Sequence, residues 1–309
     1  MPQNPPPAEL QDFIRRRYGD RASDLERVGA GEWSQAYAGS LDGEQVVVRF
    51  GAHGEDFAKD RLMAAYRSDV LPIPEVLDLG EAPGGFFVVA RRAYGHFLDD
   101  LDEAGMRAAL PALLRALDVT RAIDVSATSG FGGWRPTDRT APYPTWRTAL
   151  LSGLEDRPGG RTHGWRAALE ASPTRAGMFD EGVQALRSLV SACPDRREII
   201  HGDLLNRNVL VSGERVSAVL DWGNSMYGDG LYDLAWLLYW WSWYPAWRDI
   251  DIAGIIAAHL HTRQKVGPDI ERRLRCYQVH IGLDAQAYNA FTRRFDELAA
   301  NGKKTLALL

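Results

Sequence analysis

The stretch HGDLLNRNVLVSGERVSAVLDWGN, residues 201–224, carries Asp203, Asn208 five positions later, and Asp221 after an apolar run. Its two β-branched segments, NVLV and VSAVL, are separated by SGER, a turn sequence, and this predicts a hairpin. A hairpin brings its open ends together. Asn208, just before the first strand, and Asp221, just after the second, are therefore expected to be neighbours, with Asp203 on the entering loop. An amide oxygen and carboxylates are hard donors of the kind Mg²⁺ takes while drawing the rest of its shell from water and phosphates. A loop aspartate outside that shell can accept the proton of an attacking hydroxyl. Asp and Asn also flank ordinary hairpins as turn formers, but the apolar hairpin and LDWG at the matching distance favour the chemical interpretation. His201 is expected to pack and fix the loop rather than rival Asp203 as a base, and Gly202 to permit the close turn.

The elements that must position these groups fall into two kinds. ELQDFIRRRYGD reads as an amphipathic helix with Phe13, Ile14 and Tyr18 on one face. Then come a strand, the glycine-rich loop GAGEWSQAY (Gly29–Tyr37), a strand, an LDGE hairpin and the strand QVVVRF. A helix around EDFAKDRLMAAYRS and two strands joined by a Pro-Gly-Gly turn complete a small antiparallel sheet. From Tyr94 onward helices dominate: one through Leu110, Leu113, Leu114 and Leu117, others over 181–190 and 252–264, and a long C-terminal one over 276–300. LAWLLYWWSWYPAW, 234–247, is too short to span a membrane, is interrupted by Pro245, and reads as a buried helix. The expected class is α+β, with one lobe over 1–93, a second over 94–309, and the joint near 90–95.

Composition narrows the function. The chain has 309 residues, 45% hydrophobic and 25% charged, which suits two ordinary globular lobes sharing one site. A net charge of −5, from 41 acids and 36 bases, argues against a nucleic-acid partner. Only Cys193 and Cys276 occur, with no metal-binding spacing, so a reducing cytoplasm is the simplest compartment. MPQNPPPAEL lacks a basic-then-apolar signal pattern and reads as a flexible lead. No membrane partner and a monomeric state are expected.

HxDxxxxN followed by a strand-bounded Asp is the kinase pattern of catalytic-loop Asp and Asn plus a metal-holding Asp. The backbone of the glycine loop, with Gly29, Gly31 and Ser34, can cover phosphates. Where kinases place a lysine on the third strand, this chain has Arg49, which keeps the charge and can grip phosphate with two donors. Asp56 and Asp60 both remain open as its acidic partner. HGDLLNRNVL and VLDWG resemble the aminoglycoside phosphotransferases, and LPIPEVLDLGE, RRAYG, TSGFG, YPTW, MYGDGLYDLA and IGLD extend the likeness over most of the chain.

The resemblance implies a bilobal, protein-kinase-like fold and phosphorylation of a drug hydroxyl that uses ATP (GTP is not distinguished) and Mg²⁺. Asp203 then takes the catalytic-base position, Asn208 and Asp221 the metal positions, and Arg49 the nucleotide-gripping position. Arg91, Arg92 and Ala93 form the hinge whose backbone binds adenine. Asp229 and Asp233 match a "GD…D" element that braces the loops. Two departures, Arg207 before Asn208 and Asn224–Ser225 after DWG, leave the acceptor open.

A cationic, polyhydroxylated acceptor of the hygromycin B kind needs aromatic faces and carboxylates. Trp240 and Trp243, three apart, supply the first, with core filling as the alternative; Asp203, Asp229 and Asp284 are candidates for the second. The competing functions are a kinase of another small metabolite (choline, methylthioribose or homoserine type) and a non-catalytic nucleotide-binding module. A protein kinase is disfavoured because GDG follows DWG with no room for an activation loop.

Overall fold

The computed structural model describes residues 7–31, 33–263 and 269–309. Helix α1 (Pro7–Tyr18) opens it with a proline in its first turn, where the missing N–H has no intrahelical partner to lose. Five strands follow: β1 (Glu26–Ala30), β2 (Ser34–Leu41), β3 (Glu44–Gly51), β4 (Val76–Ala82) and β5 (Gly85–Arg91), with helix α2 (Gly54–Ala64) between β3 and β4. They pair antiparallel in the order β1-β2-β3-β5-β4, so β3 is central. The β2–β3 turn places Asp42 and Gly43 both at positive φ, as a two-residue hairpin demands.

Alternation along β3 sorts its side chains. Val46, Val48 and Phe50 are buried in a core with Leu10 and Ile14 of α1, Tyr37, Phe87 and Val89. Arg49 falls on the opposite face. The helical spacing of Leu10 and Ile14 is what lets α1 seal this core.

The chain divides into two compact units. The first runs through Val119 and takes in Arg135–Asp138 and Asn206–Ser225; the second comprises Thr120–Trp134, Arg139–Leu205 and Met226–Leu309. This differs from the division at 93/94 expected from the sequence. The first unit keeps β6 (His96–Phe97) and most of α3 (Glu103–Arg121). Of the strands that follow β7 (Gly132–Gly133) and β8 (Glu198–Ile200), it reclaims the hairpin β9 (Val209–Ser212) and β10 (Arg215–Val219), because β6 pairs with β9.

The second unit is mainly helical. It holds α4 (Trp146–Ser152), α5 (Trp165–Ala171), α6 (Gly177–Leu189), α7 (Leu231–Trp240), α8 (Ile252–Arg263), α9 (Ile270–Phe291) and α10 (Phe295–Leu306). β11 (Met226–Gly228) lies between β7 and β8 in a small sheet. Much of α9 is buried, including Cys276, Tyr277, Ile281 and Leu283.

Several expectations change. The aromatic segment is not one helix over 234–247. α7 ends at Trp240, and two 3₁₀ turns follow, the second opening on Pro245, with Tyr244 stacked on Trp247 at 4.0 Å. The C-terminal helix is two helices, separated where Arg293 adopts φ 59° and the Arg294 N–H bonds the Asn289 carbonyl at 2.9 Å. In the N-terminal lead, residues 7–10 are helical and 1–6 lie outside the described residues, as does Gln264 of the helix expected over 252–264. Among the described residues, no helix is long and apolar enough to cross a membrane.

Candidate active site

In the first unit the chemistry gathers on the face of β3 opposite the α1 core. Arg49 donates through Nη1 to Asp60 Oδ2 and through Nη2 to Asp221 Oδ2, both at 2.9 Å, with its guanidinium 5.2 Å from the Phe57 ring centroid. Burial pulls the guanidinium down, but Asp221 and Asp60 outweigh it and leave it above its ordinary value. Asp60 uses its other oxygen to accept the Trp222 N–H at 2.8 Å. Burial is the main influence on that carboxyl and pushes it up, against the opposing pull of Arg49. The acidic partner left open by the sequence is therefore Asp60. Asp56 lies one turn earlier, its carboxylate against Gly223, where an added Cβ would come within 2.8 Å of it.

The β9–β10 hairpin forms as expected, with Val209 opposite Val219. The Leu220 N–H donates to the Asn208 carbonyl at 2.7 Å, so Asn208 and Asp221 meet at the open end. Asn208 is 7% exposed. Asp221 adopts φ 57°, a left-handed conformation aspartate tolerates, and its side chain is 39% exposed. Among the described residues no group of three or more His, Cys, Asp or Glu could hold a metal. A hard-oxygen pair such as Asn208 and Asp221 nonetheless fits Mg²⁺, which takes one or two protein carboxylates and completes its shell from phosphate and water.

In the glycine loop the Gly31 N–H donates to the Ser34 carbonyl at 2.9 Å; Glu32 lies outside the described residues. A Cβ built at Gly29 meets nothing within 4 Å, and at Gly31 it meets only the Ser34 carbonyl at 3.9 Å. Among the described residues no contact demands glycine there, which suits the close approach of a ligand. At the hinge the Arg91 and Arg92 N–H groups bond the Glu75 and Gln45 carbonyls, each at 2.9 Å. The Arg91 side chain is engaged by Glu75 at 2.9 Å and also by Glu44. Of the three hinge residues, Ala93 is thus the one whose N–H makes no backbone bond among the described residues.

The second unit holds the Asp203 loop. His201 is fully buried, and its Nδ1 accepts the Asp203 N–H at 3.3 Å, so it fixes the loop. Gly202 takes φ 77°. Asp233 accepts the His201 and Gly202 N–H groups, one on each carboxylate oxygen, both at 2.9 Å. Burial pushes Asp233 up to about 6, with the two N–H groups opposing.

Asp229 is not a substrate carboxylate. It is fully buried, and its Oδ2 accepts from Arg273 Nε at 2.9 Å and the Tyr277 hydroxyl at 2.6 Å. Asp284 of α9 differs: it is exposed to solvent yet so enclosed by protein that burial pushes it up to about 6. Trp240 and Trp243 do not share one helix, but their rings meet at 5.7 Å. Trp243 is 38% exposed. Among the described residues the buried Trp240 indole N–H has no hydrogen-bond partner. The Lys304 ammonium stands 5.9 Å from the Trp243 ring centroid.

One group escaped the sequence reading. Lys59, buried on α2, donates through Nζ to the Gly223 and Ser225 carbonyls at 2.8 and 3.0 Å. The signal was the spacing of Asp56, Lys59 and Asp60, which places all three on one helical face toward the loop after Asp221. The departures from the family pattern also acquire places. Ser225 is fully buried with its carbonyl on Lys59, and the Arg207 guanidinium pairs with Asp100 at 3.0 Å.

The chain is 31% identical over 296 residues to a hygromycin-B 4-O-kinase of Escherichia coli, covering 94% of this chain and 81% of the relative. It superposes with a TM-score of 0.82 and 29% identity, over 97% of both chains, on a thermostable mutant of the aminoglycoside phosphotransferase APH(4)-Ia in ternary complex with AMP-PNP and hygromycin B. The GDP complex of aminoglycoside 2′-phosphotransferase-IIIa, at 18% identity and TM-score 0.62 over 99% of this chain and 98% of that one, shares the fold. The phosphotransferase enzyme family model, APH, matches residues 12–274, and the chain belongs to that family of kinase-like enzymes.

Proposed function

We propose that this enzyme transfers the γ-phosphoryl group of ATP to a hydroxyl of a hygromycin B-like aminoglycoside. The observation that carries the reading is the Arg49 bridge. One central-strand guanidinium is held at 2.9 Å by both Asp60 and Asp221, and Asp221 meets Asn208 at the hairpin's open end. The 31% identity to a hygromycin-B 4-O-kinase supports the acceptor.

Bound Mg²⁺, held by Asn208 and Asp221, supplies positive charge to the phosphates. The Ala93 N–H and the hinge carbonyls hold adenine, and Arg49 with the Gly29–Ser34 backbone offers donors to the phosphates. Asp203 orients the acceptor hydroxyl. As that oxygen bonds to the γ-phosphorus and the bond to the β–γ bridging oxygen breaks, its proton passes to the Asp203 carboxylate and ADP leaves. Asp284 and the exposed ring of Trp243, with Trp240 behind it, receive the amines and sugar rings. The two free, buried cysteines suit a reducing cytoplasm as the place of action.

The test is ATP turnover with a panel of aminoglycosides, choline, methylthioribose and homoserine. Stimulation by hygromycin B, abolished by Asp203→Ala, is expected. Turnover with a metabolite instead replaces the acceptor but keeps the chemistry, and nucleotide binding without any turnover overturns the enzymatic reading.

A further inference from the structure

Arg207 immediately precedes the metal ligand assigned above, and its backbone lies at φ 61°. That region suits glycine, asparagine and aspartate, and arginine gains nothing from it. Three contacts hold it there. Its N–H donates to Asp99 Oδ2 at 3.1 Å, its Nη1 to Asp100 Oδ1 at 3.0 Å, and its guanidinium carbon lies 4.1 Å from the Phe97 ring centroid. Phe97 is itself fixed, because it pairs in β6 with Leu210 of β9. Asn208 is thus pinned on one side by the Leu220 N–H on its carbonyl and on the other by a latched Arg207.

We propose that Arg207 is a positioning residue for the metal ligand Asn208, latched by the strap Phe97–Asp100 that continues the chain from the hinge. The proposal rests on Asn208 holding Mg²⁺, as read above. Arg207 and Asp100 are 57% and 52% exposed, and such pairs add little to stability. What the latch controls is geometry. Mg²⁺ demands near-ideal octahedral placement of its ligands. Loosening the backbone beside one ligand therefore weakens metal-dependent nucleotide binding while sparing the nucleotide's own contacts at the hinge and glycine loop.

The experiment is calorimetric binding of AMP-PNP with and without Mg²⁺ to the wild type, Arg207→Ala, Arg207→Gly, Arg207→Lys and Asp100→Asn. Removing a group that orients a metal ligand typically costs on the order of tenfold in metal affinity. Arg207→Ala is expected to lose about that factor for Mg²⁺–AMP-PNP, with metal-free binding and melting temperature unchanged. Asp100→Asn should move the same way by less, and Arg207→Lys should recover part of the loss. Arg207→Gly adopts the same φ without strain and keeps the N–H on Asp99, but lacks the side-chain contacts to Asp100 and Phe97. Loss in this variant supports the proposal, and wild-type behaviour overturns it by showing that the backbone conformation alone suffices. Equal losses with and without Mg²⁺, or no loss in Arg207→Ala, also overturn it. If the wild type gains no affinity from Mg²⁺, the metal reading of Asn208 fails first, and the proposal with it.

Discussion

Arg49 shows why two cationic residues are not equivalent here. Its planar fork reaches Asp60 and Asp221 at once, both at 2.9 Å, where a lysine ammonium would be a single point charge on a flexible stem. Arg49→Lys is expected to raise the KM for ATP about tenfold with a smaller effect on kcat, and Arg49→Ala to lower kcat/KM by about a hundredfold or more, by the measure of a lost phosphate donor. Steady-state kinetics at varied ATP will test this; an unchanged KM in both variants would remove Arg49 from nucleotide binding. Asp284 makes a prediction in pH. Burial raises it to about 6, so it is ionised at pH 7 and neutral well below 6. In the role proposed for Asp284, a cationic acceptor loses this counter-ion as pH falls through 6, and KM for hygromycin B should rise up to about tenfold per pH unit below that point. In Asp284→Asn this acid limb should vanish and KM should be high throughout. A limb that persists in the variant assigns it to another group.

At the scale of elements, α2 and the β9–β10 hairpin share the loop after Asp221, and the start of α7 holds the Asp203 loop. The hairpin was legible because its β-branched runs and Ser-Gly turn are local signals. The choice of Asp60 over Asp56 was not, since both lie on the same face of α2 and the deciding contact is the Trp222 N–H, 162 residues away. Asp229 stood open between a brace and a substrate carboxylate for the same reason: its partner Arg273 lies 44 residues on, and only packing reveals that its carboxylate is occupied. Asp233 is the brace most open to test. With an amide in place of its carboxylate, one of the His201 and Gly202 N–H groups would face another donor. Asp233→Asn should therefore destabilise the fold by about 1–3 kcal/mol, the usual penalty for an orphaned buried donor, as measured by urea unfolding at pH 7. Its pH signature is also defined. Burial raises Asp233 from 3.8 to about 6, so the part of its contribution that comes from holding the proton is complete below 3.8 and is lost as pH rises through 6, while its role as acceptor of the two N–H groups remains at pH 7. The variant should lack that decline.

For the whole molecule, the sequence pattern located strands first and helices later, yet it drew the boundary at 93/94, because composition changes there. Packing draws it elsewhere: residues 135–138 and 206–225 return to the sheet-bearing unit, while 120–134, 139–205 and 226–309 form the helical one. That return rests on contacts across more than a hundred residues, the pairing of β6 with β9 and of Arg49 with Asp221 among them, and no local signal records them. It has a measurable consequence. A ligand at 100 times its dissociation constant stabilises the state it binds by about 2.7 kcal/mol, which slows exchange about a hundredfold for amides released only by opening of that state. AMP-PNP with Mg²⁺ should therefore protect Gly29–Leu41 and the hairpin Val209–Val219 together, although they are far apart in sequence. Hygromycin B added alone should protect Ile200–Asp203, the Trp240–Trp243 turn and α9 around Asp284 instead. Hydrogen exchange read by mass spectrometry distinguishes the two patterns. Nucleotide protection that follows the chain, covering 1–93 while leaving 209–219 exchanging as in the free protein, would show that the hairpin does not act with the sheet and that Asn208 and Asp221 do not serve the nucleotide.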